Sequence, residues 1–151
     1  MNTALPPGLP MPVAEDDGLS APYWEGLSRG RLLVQRCRHC GGWQWGPEWI
    51  CHACLSFDLQ WQEVEPRGRV YASTRVWHPV HPALAGATPY DVLLVELPQA
   101  GNIRMLGNRV GAADRPLAPG LAVRGVFEPQ RGAAGAYALL NWRLDDDEID
   151  G

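Results

Sequence analysis

Residues 37–54 read CRHCGGWQWGPEWICHAC. All four cysteines of the 151-residue chain lie here: Cys37, Cys40, Cys51 and Cys54. They form two Cys-x-x-Cys pairs separated by ten residues, Gly41 to Ile50. One such pair closes a tight turn whose two thiolates can chelate an ion. Two turns brought together supply the four sulfurs of a tetrahedral Zn²⁺ site. Four protein ligands leave no open coordination position, so the pattern predicts an ion that holds structure and does no chemistry. The alternative is iron in a four-cysteine electron-transfer centre, which usually carries a glycine after each pair. Gly41 follows Cys40 but Leu55 follows Cys54, a departure that favours zinc. His39 and His52 lie inside the turns and could replace a sulfur; with four thiolates present they read as solvent-facing.

The segment around the cysteines is too small to bury enough apolar surface to fold by itself, so the metal must supply most of its stability. Zn²⁺ binding to comparable zinc-finger peptides is worth about 10–16 kcal/mol. Upstream, Leu32–Arg36 leads into Cys37 as a strand, and the ribbon runs to about Trp61. Before it, Ser20 and Pro22 mark a helix start. A short helix through Tyr23, Trp24 and Leu27 follows and stops near Gly30. Its apolar face must pack on this chain or on another, because two or three turns are not stable alone. Residues 1–19, with four prolines followed by Glu15, Asp16 and Asp17, read as a disordered or extended stretch, or as an arm that orders against a partner.

After Pro66 the texture changes. Arg69–His78, Tyr90–Leu97, Asn102–Gly107, Leu121–Glu128 and Ala136–Leu144 read as five short strands separated by Gly/Pro turns. That pattern suggests a small Greek-key barrel of the OB type. Tyr90–Leu97 is nearly continuous in apolar residues, which predicts a central strand. The loop Pro79–Pro89 is long enough to be functional. The tail, residues 145–151, is acidic and expected to be solvated. The expected organisation is therefore an arm (1–19), a helix (20–31), a zinc ribbon (32–65), an OB-fold (66–144) and a tail, in a mainly β chain.

Net charge is −4 with pI about 5.5, which weighs against a protein built mainly to hold nucleic acid. All 13 basic residues are arginine, which excludes lysine Schiff-base chemistry. No stretch approaches the roughly 20 apolar residues of a membrane span, and no secretory signal is visible. A reducing, cytoplasmic setting follows, where paired cysteines more often bind metal than form disulfides. No Gly-x-Ser-x-Gly, phosphate loop or His-Glu-x-x-His is present, so the chain offers no convincing catalytic set.

Seven tryptophans are many for this length. Trp61, Trp77 and Trp142 are expected to fill the barrel core or seal it to the ribbon. Trp43, Trp45 and Trp49 crowd a thin ribbon, so some should be exposed, as at contact hot spots or base-stacking surfaces. His78 and His81 flank Pro79 and could line a ligand path or partner surface.

The order of parts resembles a known family. A Tyr-Trp-Glu-Gly-Leu helix (23–27) leads into Leu-x-x-Gln-Arg-Cys-x-x-Cys-Gly. Then come Cys-x-x-Cys, Trp-x-x-Val, Gly-Arg-Val-Tyr-Ala-Ser-Thr (68–74) and Pro-Tyr-Asp-Val-Leu-Leu-Val-Glu-Leu. Over residues 20–144 this resembles the family that joins a rubredoxin-like zinc ribbon to an OB-fold, domain of unknown function 35, described as acyl-CoA-associated. The resemblance implies that Cys37, Cys40, Cys51 and Cys54 are the metal ligands. It further implies a subunit without its own active site, assembled with a thiolase-like protein: a thiolase, a lipid-transfer-type aldolase acting on steroid side chains, or an acyltransferase. Such a subunit supports the partner and shapes a path for a CoA thioester. Partner or acyl-CoA contacts are then expected among Tyr23, Trp24, Trp43, Trp45, Trp49, Arg69, Arg75, His78, His81 and Arg104. A stand-alone acyl-CoA-binding module and an OB-fold binder of single-stranded nucleic acid are the other readings.

Overall fold

The computed structural model describes residues 6, 8–10, 17–132 and 135–146. The proline-rich arm lies largely outside them, as does the tail beyond Asp146. Helix α1 spans Ala21–Ser28. Ser20 occupies the N-cap through its backbone carbonyl, which accepts from the N–H groups of Tyr23 and Trp24; its side chain makes no capping bond. Leu27 is buried, and Tyr23 and Trp24 pack against the same core.

Eight strands follow, in two sheets. β1 (Leu32–Cys37), β2 (Trp43–Gln44) and β3 (Leu59–Val64) form an antiparallel sheet in the order β2-β1-β3. β4 (Arg67–Val76), β5 (Tyr90–Leu97), β6 (Ile103–Asn108), β7 (Ala122–Gly132) and β8 (Gly135–Leu144) form the second, in the order β6-β5-β4-β7-β8. Just past β6, Arg109 makes a parallel bridge to Trp142 of β8, and the Val110 N–H donates to the Trp142 carbonyl at 2.9 Å. This contact brings the two outer strands together and curls the sheet toward a barrel of the OB type.

Two expectations change. The central strand is β4, because it alone pairs with both β5 and β7 at the middle of the sheet. β5 has neighbours on both sides, but its residues alternate strictly between buried and half-buried. An apolar run therefore does not mean burial on both faces. β7 and β8 are also long, 11 and 10 residues, and pair from Val123↔Leu144 out to Gly132↔Gly135.

One core unites helix, ribbon and barrel. It contains Leu27, Leu32, Val34 and Val64 together with Val70, Leu93, Val95, Leu97, Met105, Val123, Leu140, Trp142 and Leu144. The ribbon thus shares its apolar interior with the barrel through β1 and β3. Of the three tryptophans expected to fill the barrel core or seal it to the ribbon, only Trp142 is in the core, fully buried, and neither of the others packs against it. Trp61 is half-buried on β3 opposite Gln35. Trp77 is 64% exposed, because β4 ends at Val76 and leaves it in the following loop.

At one end of the barrel, Asp91 is buried between two arginines. Arg75 grips it with Nε and Nη2 at 2.8 and 3.0 Å, and Arg109 Nη1 lies 3.4 Å from it. Arg109 is itself buried, with Nη1 also donating to the Arg115 carbonyl. The Arg75 hydrogen bonds hold the Asp91 carboxyl below its ordinary range, against the cost of burial. Asp91→Ala leaves Arg109 buried without its counter-charge and is expected to cost about 3–5 kcal/mol. In the native protein the lowered pKa gives a contribution that is full at neutral pH. It is lost as pH falls below about 4, through the folded-state pKa. Urea titrations of both proteins between neutral and acid pH check this: their stability difference should shrink on the acid side.

Candidate metal centre and the surfaces around it

The two cysteine turns are built alike. In the first, the Cys37 N–H donates to the Gly42 carbonyl and the Gly41 N–H to the Cys37 carbonyl, at 2.8 and 2.9 Å. In the second, Cys51 and Ser56, and Leu55 and Cys51, repeat both bonds at 2.8 and 3.0 Å. This geometry requires a left-handed residue at the fourth position after the first cysteine. Gly41 meets it with φ +75°, and Leu55 meets it with φ +62°. The missing glycine therefore changes no backbone bond. It does hold a leucine where L-residues are disfavoured by roughly 1–2 kcal/mol, with its side chain 66% exposed.

The four Sγ atoms lie within 4.8 Å of one another, with Cys37–Cys54 and Cys40–Cys51 both at 3.7 Å. A tetrahedron with metal–sulfur bonds of about 2.3 Å has edges of about 3.8 Å. A disulfide would need about 2.05 Å. The quartet thus fits one tetrahedral ion, and among the described residues it is the only cluster of potential ligands. Cys37 and Cys51 are buried and Cys40 is exposed. The Cys40 and His39 N–H groups hold the Cys37 thiol below its ordinary range. Those of Cys54 and Ala53 hold Cys51 down to about 6. At Cys54 the Ser56 N–H acts in the same direction. Burial and the hydrogen bonds shared with Cys40, Cys37 and Cys51 prevail there, and push it up to about 12. Four adjacent thiolates cannot all carry charge unaided, and a divalent cation removes that conflict. His39 and His52 are exposed.

A buried amide network that the cysteine pattern does not reveal braces the link between the turns. Gln35 Oε1 accepts from Gln44 Nε2 and from the Glu48 N–H, while Gln35 Nε2 donates to the Glu48 carbonyl. Gln44 Nε2 also donates to the Ile50 carbonyl, and its Oε1 accepts from the His52 N–H at the second turn. Both glutamines are buried, so each bond replaces one that water would otherwise supply. Their only sequence signal is polar residues at inward positions of strands.

The expected contact residues fall into separate places. Tyr23 and Trp45 meet with ring centroids 4.7 Å apart, Tyr23 and Trp24 at 5.2 Å, and Trp24 and Tyr137 at 6.2 Å. These rings join helix to ribbon and barrel. Trp43 packs on the core beneath the Arg36 guanidinium, 5.0 Å from the ring centroid. Trp49 alone of the three ribbon tryptophans is well exposed, at 62%. Arg75 is held by Asp91, His81 Nδ1 accepts from the Ala83 N–H, and His78 is exposed. Arg69 and Arg104 point outward from the barrel, Arg104 lying 3.6 Å over the Tyr71 ring. A groove of about 270 Å³ opens between α1 and the barrel, lined by Tyr23, Trp24, Leu106, Asn108, Leu139 and Asn141 among others.

Residues 24–60 match the domain family described as "ChsH2, rubredoxin-like zinc ribbon domain", and residues 61–128 match "ChsH2, C-terminal OB-fold domain". The solved structure titled "Ltp2-ChsH2(DUF35) aldolase" contains a chain 30% identical to this one. The match covers 89% of this chain and 98% of that one, with a TM-score of 0.72. This chain belongs to the ChsH2 (DUF35) family. A ChsH2-family reading also accounts for the likeness to a DUF35 protein from Sulfolobus solfataricus. There the identity is 16%, the coverage 85% and 87%, and the TM-score 0.58, which shows a common fold. A protein of Thermomonospora curvata named "Probable enoyl-CoA hydratase alpha subunit" is 35% identical over 140 residues. Those residues are 93% of this chain, but the chain spans only 37% of that protein. Among the described residues no helix is long and apolar enough to cross a membrane.

Proposed function

We propose that this ChsH2-family chain is a non-catalytic accessory subunit that assembles with a thiolase-like enzyme acting on CoA thioesters. The observation that carries this reading is its match to nearly the whole ChsH2 chain of an Ltp2–ChsH2 aldolase. The likeness to a protein named for an enoyl-CoA hydratase subunit supports the acyl-CoA setting. We take the partner's reaction to be retro-aldol cleavage, by analogy with that aldolase, and its substrate to be the lipid or steroid side chain that the family resemblance implies.

The metal is zinc on this reading, held by Cys37, Cys40, Cys51 and Cys54. Its four-thiolate shell supplies structure, leaving no position for substrate. The ion ties β1 to the second turn, and β1 and β3 carry that rigidity into the barrel core. Four thiols reserved for a metal suit a reducing, cytoplasmic setting. The chain is then organised as leading helix (20–31), ribbon (32–65) and barrel (66–144), with the aromatic junction of Tyr23, Trp24 and Trp45 fixing their relative positions.

Co-expression with thiolase-like proteins from the same genome tests the assignment. A hetero-oligomer is expected on gel filtration, with carbon–carbon cleavage of a β-hydroxyacyl-CoA substrate by the complex and none by this chain alone. Full activity of the partner in its absence, with no complex formed, would overturn it.

A further inference from the structure

The outer face of the barrel carries a band of arginines. Arg67 of β4 is the direct partner of Arg124 on β7, and Arg124 is the direct partner of Arg143 on β8. Opposed residues on adjacent strands share a face, about 4.8 Å apart. Their neighbours Gly68, Val123 and Leu144 are also in register and point the other way, with Val123 and Leu144 in the core. Arg69, two residues along β4, joins the same face. It stands opposite Glu96, which stands opposite Arg104. The band thus places arginines on four of the five strands, with Glu96 interrupting it on β5.

Like charges placed directly opposite each other on a sheet are destabilising. Local carboxylates relieve only part of this. Glu96 lies 3.0 Å from Arg104, Asp145 lies 3.3 Å from Arg124, and Glu65 lies 3.8 Å from Arg67. Arg69 and Arg143 form no ion pair among the described residues. Five cations face three carboxylates here, although the whole chain carries a net charge of −4. The positive surplus is therefore concentrated on this face, and the negative surplus lies elsewhere.

The face is the outside of a barrel, and none of its arginines lines the grooves beside α1. Small-molecule sites are concave, so a flat charged band suits a macromolecular surface. Guanidinium forks pair bidentately with carboxylates. The acidic balance of the rest of the chain opposes a nucleic acid. We propose that Arg67, Arg69, Arg124 and Arg143 form a docking strip for an acidic surface of the partner subunit. This rests on the accessory-subunit reading above.

The test measures binding of the purified thiolase-like partner to wild-type protein and to the Arg67→Glu/Arg69→Glu variant, at low and at moderate salt. Arg67 is 72% exposed at its side chain and Arg69 is exposed, so the variant should keep its metal and its melting temperature. Should the double variant not fold, Arg69→Gln replaces it, with a smaller loss expected. The proposal expects the Kd to rise about tenfold or more and its salt dependence to weaken. An unchanged Kd in a folded variant overturns the docking strip and leaves the accessory-subunit reading intact. A wild-type protein that binds no partner at all overturns that reading, and this proposal with it. Loss of single-stranded oligonucleotide binding with partner affinity unchanged also overturns the strip as proposed.

Discussion

Replacing Cys51 with serine is expected to strip the metal from the protein and unfold the ribbon. Cys51 is buried, its Sγ is 3.7 Å from that of Cys40, and its turn is closed by the Ser56 and Leu55 backbone bonds. A serine hydroxyl is a poor, protonated ligand for a soft-to-borderline ion, and three thiolates cannot close the tetrahedron. Metal analysis should fall from about one ion per chain to a small fraction of that, since binding and folding are coupled in small metal-built units. The fluorescence of Trp43 and Trp45, which pack on the core beside the ribbon, should shift to the red as they enter water. Chelation of the wild-type protein should give the same spectrum. Acid should do so too, because protons compete with metal for the sulfurs and affinity falls as pH drops. If Cys51→Ser retained a full equivalent of metal and the native spectrum, the metal assignment would be wrong.

Trp142→Ala should be the most damaging single change in the barrel. The indole is fully buried and packs against Gly107. Gly125 is its register partner on β7, and a Cβ at Gly107 would sit 2.7 Å from its Cδ1. Its backbone carries the bridge to Arg109 and the bond from Val110 that draw β6 and β8 together. Truncation leaves a cavity lined partly by Gly107, which has no side chain to collapse into it. A loss of about 3–5 kcal/mol is expected, or roughly 6–20 °C in melting temperature. Indole Nε1 has no hydrogen-bond partner among the described residues, so Trp142→Phe should lose markedly less. Thermal denaturation of the two variants checks both the size and the order.

The metal quartet was legible in the sequence because chelation by adjacent turns depends on local spacing, and local spacing is what a sequence displays. The same holds for α1 and for the approximate positions of the five barrel strands, which follow from turn residues and short-range patterning. Leu55 shows the limit of motif reading. The backbone of the second turn matches the first without the glycine, so side-chain identity at one position did not report the conformation there.

What the chain could not display were choices among non-local partners. Trp77 and Trp142 look equally suited to a core, yet Trp77 stands in solvent past the end of β4, while Trp142 is fully buried against Gly107. Gln35 and Gln44 look like surface residues until the link between the turns folds over them. Arg67, Arg124 and Arg143 are far apart in sequence and become a row only when β4, β7 and β8 pair. By itself the sequence determined the metal ligands' spacing, the family and the mainly β character, because these rest on contacts between near neighbours. Only the tertiary structure decided which aromatic fills the barrel, how the ribbon is braced and where the positive charge collects. Each of those depends on strand register, which brings together residues that the chain keeps apart.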